Sequence, residues 1–225
     1  MKSISFRKTL SLLATSLPLA LLTLAPLDAV AKDSPKNQKI LAALEPFEDL
    51  TEVALDGSAA KLESTFKRVE NHQAGSRALL SAAEAGHYDE LFAGLETAKA
   101  KGDHLGMSLG AAELYKQMAL ALDTTALTTP TREVNLLDYI SFRISALLHA
   151  PQPDWAAITV TVKEANGYWA AMRDQVGDHR LQSKMDQAQS GLATGALKQD
   201  ASITAANVKK DGDLVDDLES YFAKQ

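Results

Sequence analysis

The chain holds five histidines, His72, His87, His104, His149 and His179, and no cysteine. Without cysteine there are no disulfides and no thiolate metal sites, and covalent c-type haem attachment is excluded. Histidine and carboxylate remain as metal ligands. Three histidines stand at apparent helix starts, in Ala85-Gly86-His87, Gly102-Asp103-His104 and Gly177-Asp178-His179. His87 and Glu90 are spaced i, i+3, as are His104 and Met107, which presents two side chains on one helical face. His87, Glu90, His104 and His179 are therefore the candidate ligands of a transition-metal cation, with Asp89, Asp103 and Asp178 near enough in sequence to complete a site. If the helices alternate strictly up and down, His87 and His179 share one end of the bundle, and His104 and His149 the other. The competing explanation is that Asp caps the helix and the histidine after it is simply exposed.

The segment His87-Tyr88-Asp89-Glu90 resembles the His-x-x-Glu motif of imelysin-like periplasmic helical proteins, which are associated with iron uptake. The resemblance covers four residues, and Ala85 stands where those proteins carry Gly. It implies an iron-type cation at His87 and Glu90.

The segment 132–149 is the second place where chemistry could sit. Val134, Leu137, Ser141, Ile144 and Leu148 form its apolar stripe, with Asp138, Ser145 and His149 on one flank. Asp138 and His149 are separated by about 16 Å along a helix axis, too far to share one ion. Asp138 is expected to pair with an arginine of a neighbouring helix, such as Arg77 or Arg173. Trp155 and Trp169 lie close to four helical turns apart and so share a face. With Phe142, Tyr168 and Met172 they either anchor the core or line an apolar cavity. The cluster Asp211, Asp213, Asp216 and Asp217 lacks the pattern of a calcium loop, having Phe222 where the closing Glu belongs. It reads as a solvated acidic helix start. Gly-x-Ser-x-Gly, His-Glu-x-x-His and Gly-rich phosphate loops are all absent, which argues against an enzyme.

The elements that must position these residues are helices. Helix formers dominate, and no stretch sustains strand alternation. Breakers divide the chain into segments near 36–56, 58–83, 87–100, 103–123, 132–149 and 154–176, a seventh after Gly177-Asp178 and a last one from Asp200. Asp211-Gly212-Asp213 is a candidate kink in the last. The expected fold is an all-α, antiparallel bundle of seven to eight helices. Residues 57–80 aligned with 153–176 share Ala60/Ala156, Thr65/Thr161, Lys67/Lys163, Ala74/Ala170 and Arg77/Arg173 at an offset of 96. This raises a second arrangement, two tandem four-helix units in halves 32–124 and 131–225, with the Thr-rich stretch Thr124–Thr131 between them.

Lys2, Arg7 and Lys8, an uncharged Leu- and Ala-rich run from Leu10 to Leu27, and Ala29-Val30-Ala31 have the order of a cleavable secretory signal over residues 1–31. Pro18 and Pro26 argue against an uncleaved membrane anchor. The domain is then residues 32–225, with a periplasmic location, or a secreted one as the alternative. Cleavage leaves 20 basic and 28 acidic residues, a net charge of −8. Such a chain is repelled by nucleic acid and anionic membranes. The expected function is an exported, non-enzymatic binding or accessory protein that takes a metal cation through helix-end His and carboxylates. The alternatives are a carrier of an apolar small ligand in an interhelical cavity lined by Trp and Met, and a ligand-free bundle that binds an unknown protein partner.

Overall fold

The structure is a computed structural model, and it describes residues 34–127 and 129–225. The signal expected at 1–31 lies outside the described residues. The described residues form eight α-helices and no strand: α1 Pro35–Asp56, α2 Ala59–Arg77, α3 Ala82–Lys101, α4 His104–Leu120, α5 Thr131–His149, α6 Trp155–Met172, α7 His179–Lys198 and α8 Ala201–Phe222. The all-α bundle read from the sequence is the fold found. None of these helices is long and apolar enough to cross a membrane.

Local chemistry sets the helix starts. Ser34, Ser58, Ser81, Asp103, Asp154, Asp178 and Asp200 each accept a hydrogen bond from a first-turn backbone N–H. Each such cap contributes about 1 kcal/mol. At α3 the cap is reciprocal, because the Glu84 carboxylate also accepts from the Ser81 backbone N–H at 2.8 Å. This capping box starts α3 at Ala82 rather than near 87, and α2 accordingly ends at Arg77 rather than near 83. His87 therefore sits in the second turn of α3 and not at its start. The Asp211-Gly212-Asp213 sequence does not interrupt α8.

The helices close into two rings. In the first, α1 packs on α2 and α4, α3 packs on α4, and α2 and α3 meet more lightly. In the second, α5 packs on α6 and α8, and α7 packs on both of those. The rings are joined mainly by α4 against α5, with a smaller α1–α5 contact. The second ring repeats the first with little drift in register. Helices α5, α6, α7 and α8 begin 96, 96, 97 and 97 residues after α1, α2, α3 and α4. The two positive-φ residues among those described are Gly102 (64°) and Gln199 (52°), 97 residues apart, and each ends the third helix of its ring. Gly adopts that conformation freely, whereas Gln bears a cost of about 1 kcal/mol.

Each ring has its own buried filling. Phe66, Val69, Tyr88, Phe92 and Leu95 fill the first, and Ile158, Trp169, Met185, Leu192 and Leu218 the second. Burial of each large side chain contributes about 1.5–3 kcal/mol. Trp169 and Met172 belong to this core, and Trp155 is half-buried against it.

Candidate functional site

Helix α5 is amphipathic along most of its length, and its two flanks meet different neighbours. One flank is closed by α4 and α6 through paired charges. Arg143 pairs with Glu113, and its Nε–H donates to Thr161 Oγ1 at 3.1 Å. Lys116 donates to both oxygens of Glu164 at 3.0 and 3.1 Å and lies 4.6 Å from the centre of the Tyr139 ring. The Tyr139 hydroxyl donates to Glu113 at 3.2 Å.

The other flank is open. A groove of about 770 Å³ runs between α1, α5 and α8. Its floor is Ser141, Phe142, Ser145 and Leu148 of α5. Thr51, Glu52 and Leu55 of α1 form one wall, and Val208, Lys209, Gly212 and Asp213 of α8 the other. Lys61 and His149 stand at the mouth beside the α1–α2 turn. Lys209 is engaged with Asp213 one turn away, at 2.9 Å.

One turn beyond the residues that line the groove, the three helices carry acidic side chains, of which Glu48, Asp216 and Glu219 are exposed. Glu48 lies one turn from Glu52 on α1, Asp138 one turn from Ser141 on α5, and Asp216 and Glu219 one and two turns beyond Gly212 on α8. No ion pair among the described residues neutralises any of the four, and α1 and α8 hardly touch. Burial, then repulsion from Glu52, Glu219 and Asp216, raises Glu48 above the usual carboxylate range. Burial raises Asp138 further, with Glu219, Glu48 and Asp216 adding to it. Burial and Asp216 raise Glu219.

Asp138 does not have the arginine partner expected of it. Arg77 is taken by Asp89 of α3 at 2.8–3.0 Å, and Arg173 by Asp186 of α7 at 2.8 and 3.0 Å. These two pairs are themselves equivalent between the rings. The nearest donor to Asp138 is the Tyr115 hydroxyl at 3.5 Å, the limit of hydrogen-bond distance. Tyr115 has one proton, which Asn135 Oδ1 accepts at the shorter distance of 2.9 Å. The Asn135 amide is held in that orientation because its Nδ2 donates to the Thr131 carbonyl at 2.7 Å. Asp138 is thus a half-buried carboxyl with no cation beside it and one long hydrogen bond, from Tyr115.

Asp211, expected at a solvated helix start, is fully buried behind Ser141. It accepts from Gln189 Nε2 at 2.7 Å and from the Ser141 hydroxyl at 3.4 Å, and burial pushes it up to about 7. Gln189 Oε1 has no partner in this cluster.

The candidate metal ligands are not brought together. His87 is exposed on α3, with Nδ1 3.8 Å from Glu90. Asp89 beside it is occupied by Arg77. His104 Nδ1 lies 2.8 Å from the Ala54 carbonyl oxygen, and His179 Nδ1 lies 3.1 Å from Gln182 Oε1. His87 and His179 belong to different rings, and Asp103 and Asp178 serve as helix caps. Among the described residues no group of three or more His, Asp or Glu could hold a metal ion. The aromatic set foreseen around a cavity is likewise dispersed. Only Phe142 of that set reaches the groove.

The acidic lining of α1 and α8 was not foreseen. Its signal was present in Glu45, Glu48 and Glu52, at helical spacing, and in Asp216 and Glu219, spaced i, i+3. What the sequence could not show is that these faces oppose one another. Comparison with known protein families, curated proteins and solved structures finds no match to this chain, and the likeness to imelysin-like proteins stays at the four residues His87–Glu90.

Proposed function

We propose that this chain is an exported, non-enzymatic binding protein whose ligand occupies the groove between α1, α5 and α8. The observation that carries this reading is the groove itself. Its volume of about 770 Å³ falls in the range of small-molecule sites, and it combines the apolar side chains of Phe142, Leu148 and Val208 with the hydroxyls of Ser141 and Ser145 and charged groups at its edges. Export rests on the signal pattern of residues 1–31. The test is titration of the neutral fluorophore Nile red. Saturable fluorescence enhancement is expected, and Ser145→Trp, which fills the floor, should weaken binding at least about tenfold without lowering the melting temperature. Non-saturable binding, or equal binding by the Trp variant, contradicts the reading.

Metal ligation is the second reading, supported by the approach of His87 to Glu90 at 3.8 Å. It requires stoichiometric metal in the purified protein, or a rise in melting temperature with Fe, Cu or Zn that His87→Ala or His179→Ala abolishes. A melt that ignores all three ions removes it.

A further inference from the structure

Resting on the groove reading, we propose that the groove takes a neutral ligand with a carbonyl-type hydrogen-bond acceptor, and that Asp211 takes up a proton as this ligand binds. The link between the two is Ser141. Among the residues that line the groove, it is the one whose side chain bonds to the buried carboxyl. Gly212, also in the lining, leaves the serine uncovered, since a Cβ there would stand 3.7 Å from Ser141 Oγ.

The cluster fixes where the proton goes. Gln189 Nε2 donates to Asp211 Oδ1 at 2.7 Å, so that oxygen stays an acceptor whatever the charge on the carboxyl. A proton taken from solvent therefore settles on Oδ2, which faces Ser141 Oγ at 3.4 Å. The serine hydroxyl has one proton to give. While Asp211 is ionised, that proton points at Oδ2, and the groove floor offers a lone pair. Once Oδ2 is protonated, it donates to Ser141 Oγ, and the serine proton is free to turn into the groove. At 3.4 Å the bond is long and costs little to reverse. The floor changes from acceptor to donor with no helix moving, and a ligand that can only accept is matched by the protonated state.

No cation stands against Asp211 on the elements around it. It packs against α5 and α7. From α5 the ionisable group one turn from Ser141 is Asp138, a like charge that feels Asp211. From α7 the Gln189 amide faces it, and the neighbouring Asp186 is bound to Arg173. On α8 its one-turn neighbours are Asn207, Val208, Leu214 and Val215, none of them ionisable. Lys210, next to it in the chain, points from another face of the helix. Burial pushes Asp211 up to about 7, which places the exchange in the neutral range. Affinity for an acceptor ligand should therefore fall as pH rises through about 7, because the matched fraction falls. By reciprocity, binding draws a proton in.

The experiment titrates cyclooctanone, which only accepts, and cyclooctanol, which also donates, into the purified protein by calorimetry. It is run near pH 6 and near pH 8, in buffers of differing ionisation enthalpy. Cyclooctanone should bind about fivefold more weakly at the higher pH and take up a proton on binding. Cyclooctanol can donate to the serine lone pair and should change less than about twofold. Ser141→Ala should flatten the cyclooctanone profile while urea unfolding keeps its dependence on pH, since Asp211 still titrates. Asp211→Asn should flatten both. His149→Gln, at the mouth of the groove, should leave the cyclooctanone profile as it is. Equal profiles for ketone and alcohol, or a full profile in Ser141→Ala, overturn the proposal and leave the groove reading standing where Nile red binds saturably. A profile lost in His149→Gln overturns it in favour of the mouth. Failure of both probes together with Nile red overturns both readings.

Discussion

The two flanks of α5 differ in what faces them, and the difference shows how a repeated architecture comes to have one open seam. Exchanging the equivalent helices of the two rings maps the α4–α5 seam onto an α8–α1 seam. The first is closed and the second is not. The charges account for this. Arg143 and Glu113 hold α5 to α4, and Lys116 holds α4 to α6 through Glu164. By the register of the repeat, the position equivalent to Arg143 on α1 is Phe47, which is buried in the first core, and the position equivalent to Glu113 on α8 is Lys210. The cations of α1, Lys36 and Lys39, stand in its first two turns, more than two turns before Glu48. Glu48 lies within reach of the charges of Asp216 and Glu219 instead, and no ion pair among the described residues links α1 to α8.

The largest effect is expected at Asp211, which stands where α4 carries the buried Leu114. Its folded pKa is raised from 3.8 to about 7, so folding favours its protonated form. The stability it contributes is fully present below about pH 4 and is lost as pH rises through about 7. Asp211→Asn removes this dependence and offers the unpaired Gln189 Oε1 an N–H donor. Urea unfolding should show a flatter profile for the variant between pH 5 and 8. At pH 8 it should be more stable than the parent by up to about 4 kcal/mol. Parallel profiles for the two proteins would contradict the buried-acid reading.

The next effect separates the two seams directly. Glu113→Ala strips Arg143 of its carboxylate partner and should cost about 2 kcal/mol. Glu48→Ala on the open seam should stay within about 0.5 kcal/mol of the parent. Equal losses would mean that charge pairing does not distinguish the seams. Asp216→Lys sharpens the contrast, since it places a cation opposite Glu48. It should stabilise by up to about 1 kcal/mol. The smallest effects belong to the repeated pairs. Arg77→Ala and Arg173→Ala should lower the melting temperature slightly and equally, because both side chains are exposed.

The helices were legible because breakers and caps write them locally. Ser58, Asp103, Asp154, Asp178 and Asp200 all cap the helices that follow them. The repeat was legible from Thr65/Thr161 and Arg77/Arg173, but not its extent. Leu95 and Leu192, Gly102 and Gln199, and Asp89 and Asp186 match only after the offset grows from 96 to 97. α3 starts at Ala82 and not near 87 because the Ser81–Glu84 capping box outweighs the more conspicuous Gly86-His87. Half of the groove was legible, since Ser141, Ser145, Leu148 and His149 were singled out on α5. The other half was not, because which face of α1 meets which face of α8 is decided by packing between rings and not by local sequence. Asp211 was misjudged for the same reason. An aspartate among aspartates reads as solvated until α5 and α7 are known to cover it.

The most direct test of the groove as the binding site is an amide chemical-shift map on addition of Nile red. Shifts confined to Thr51–Lys61, Ser141–His149 and Ala205–Asp213 are the predicted result. Shifts centred on His87, His104 or His179, or spread evenly over both rings, would contradict the account.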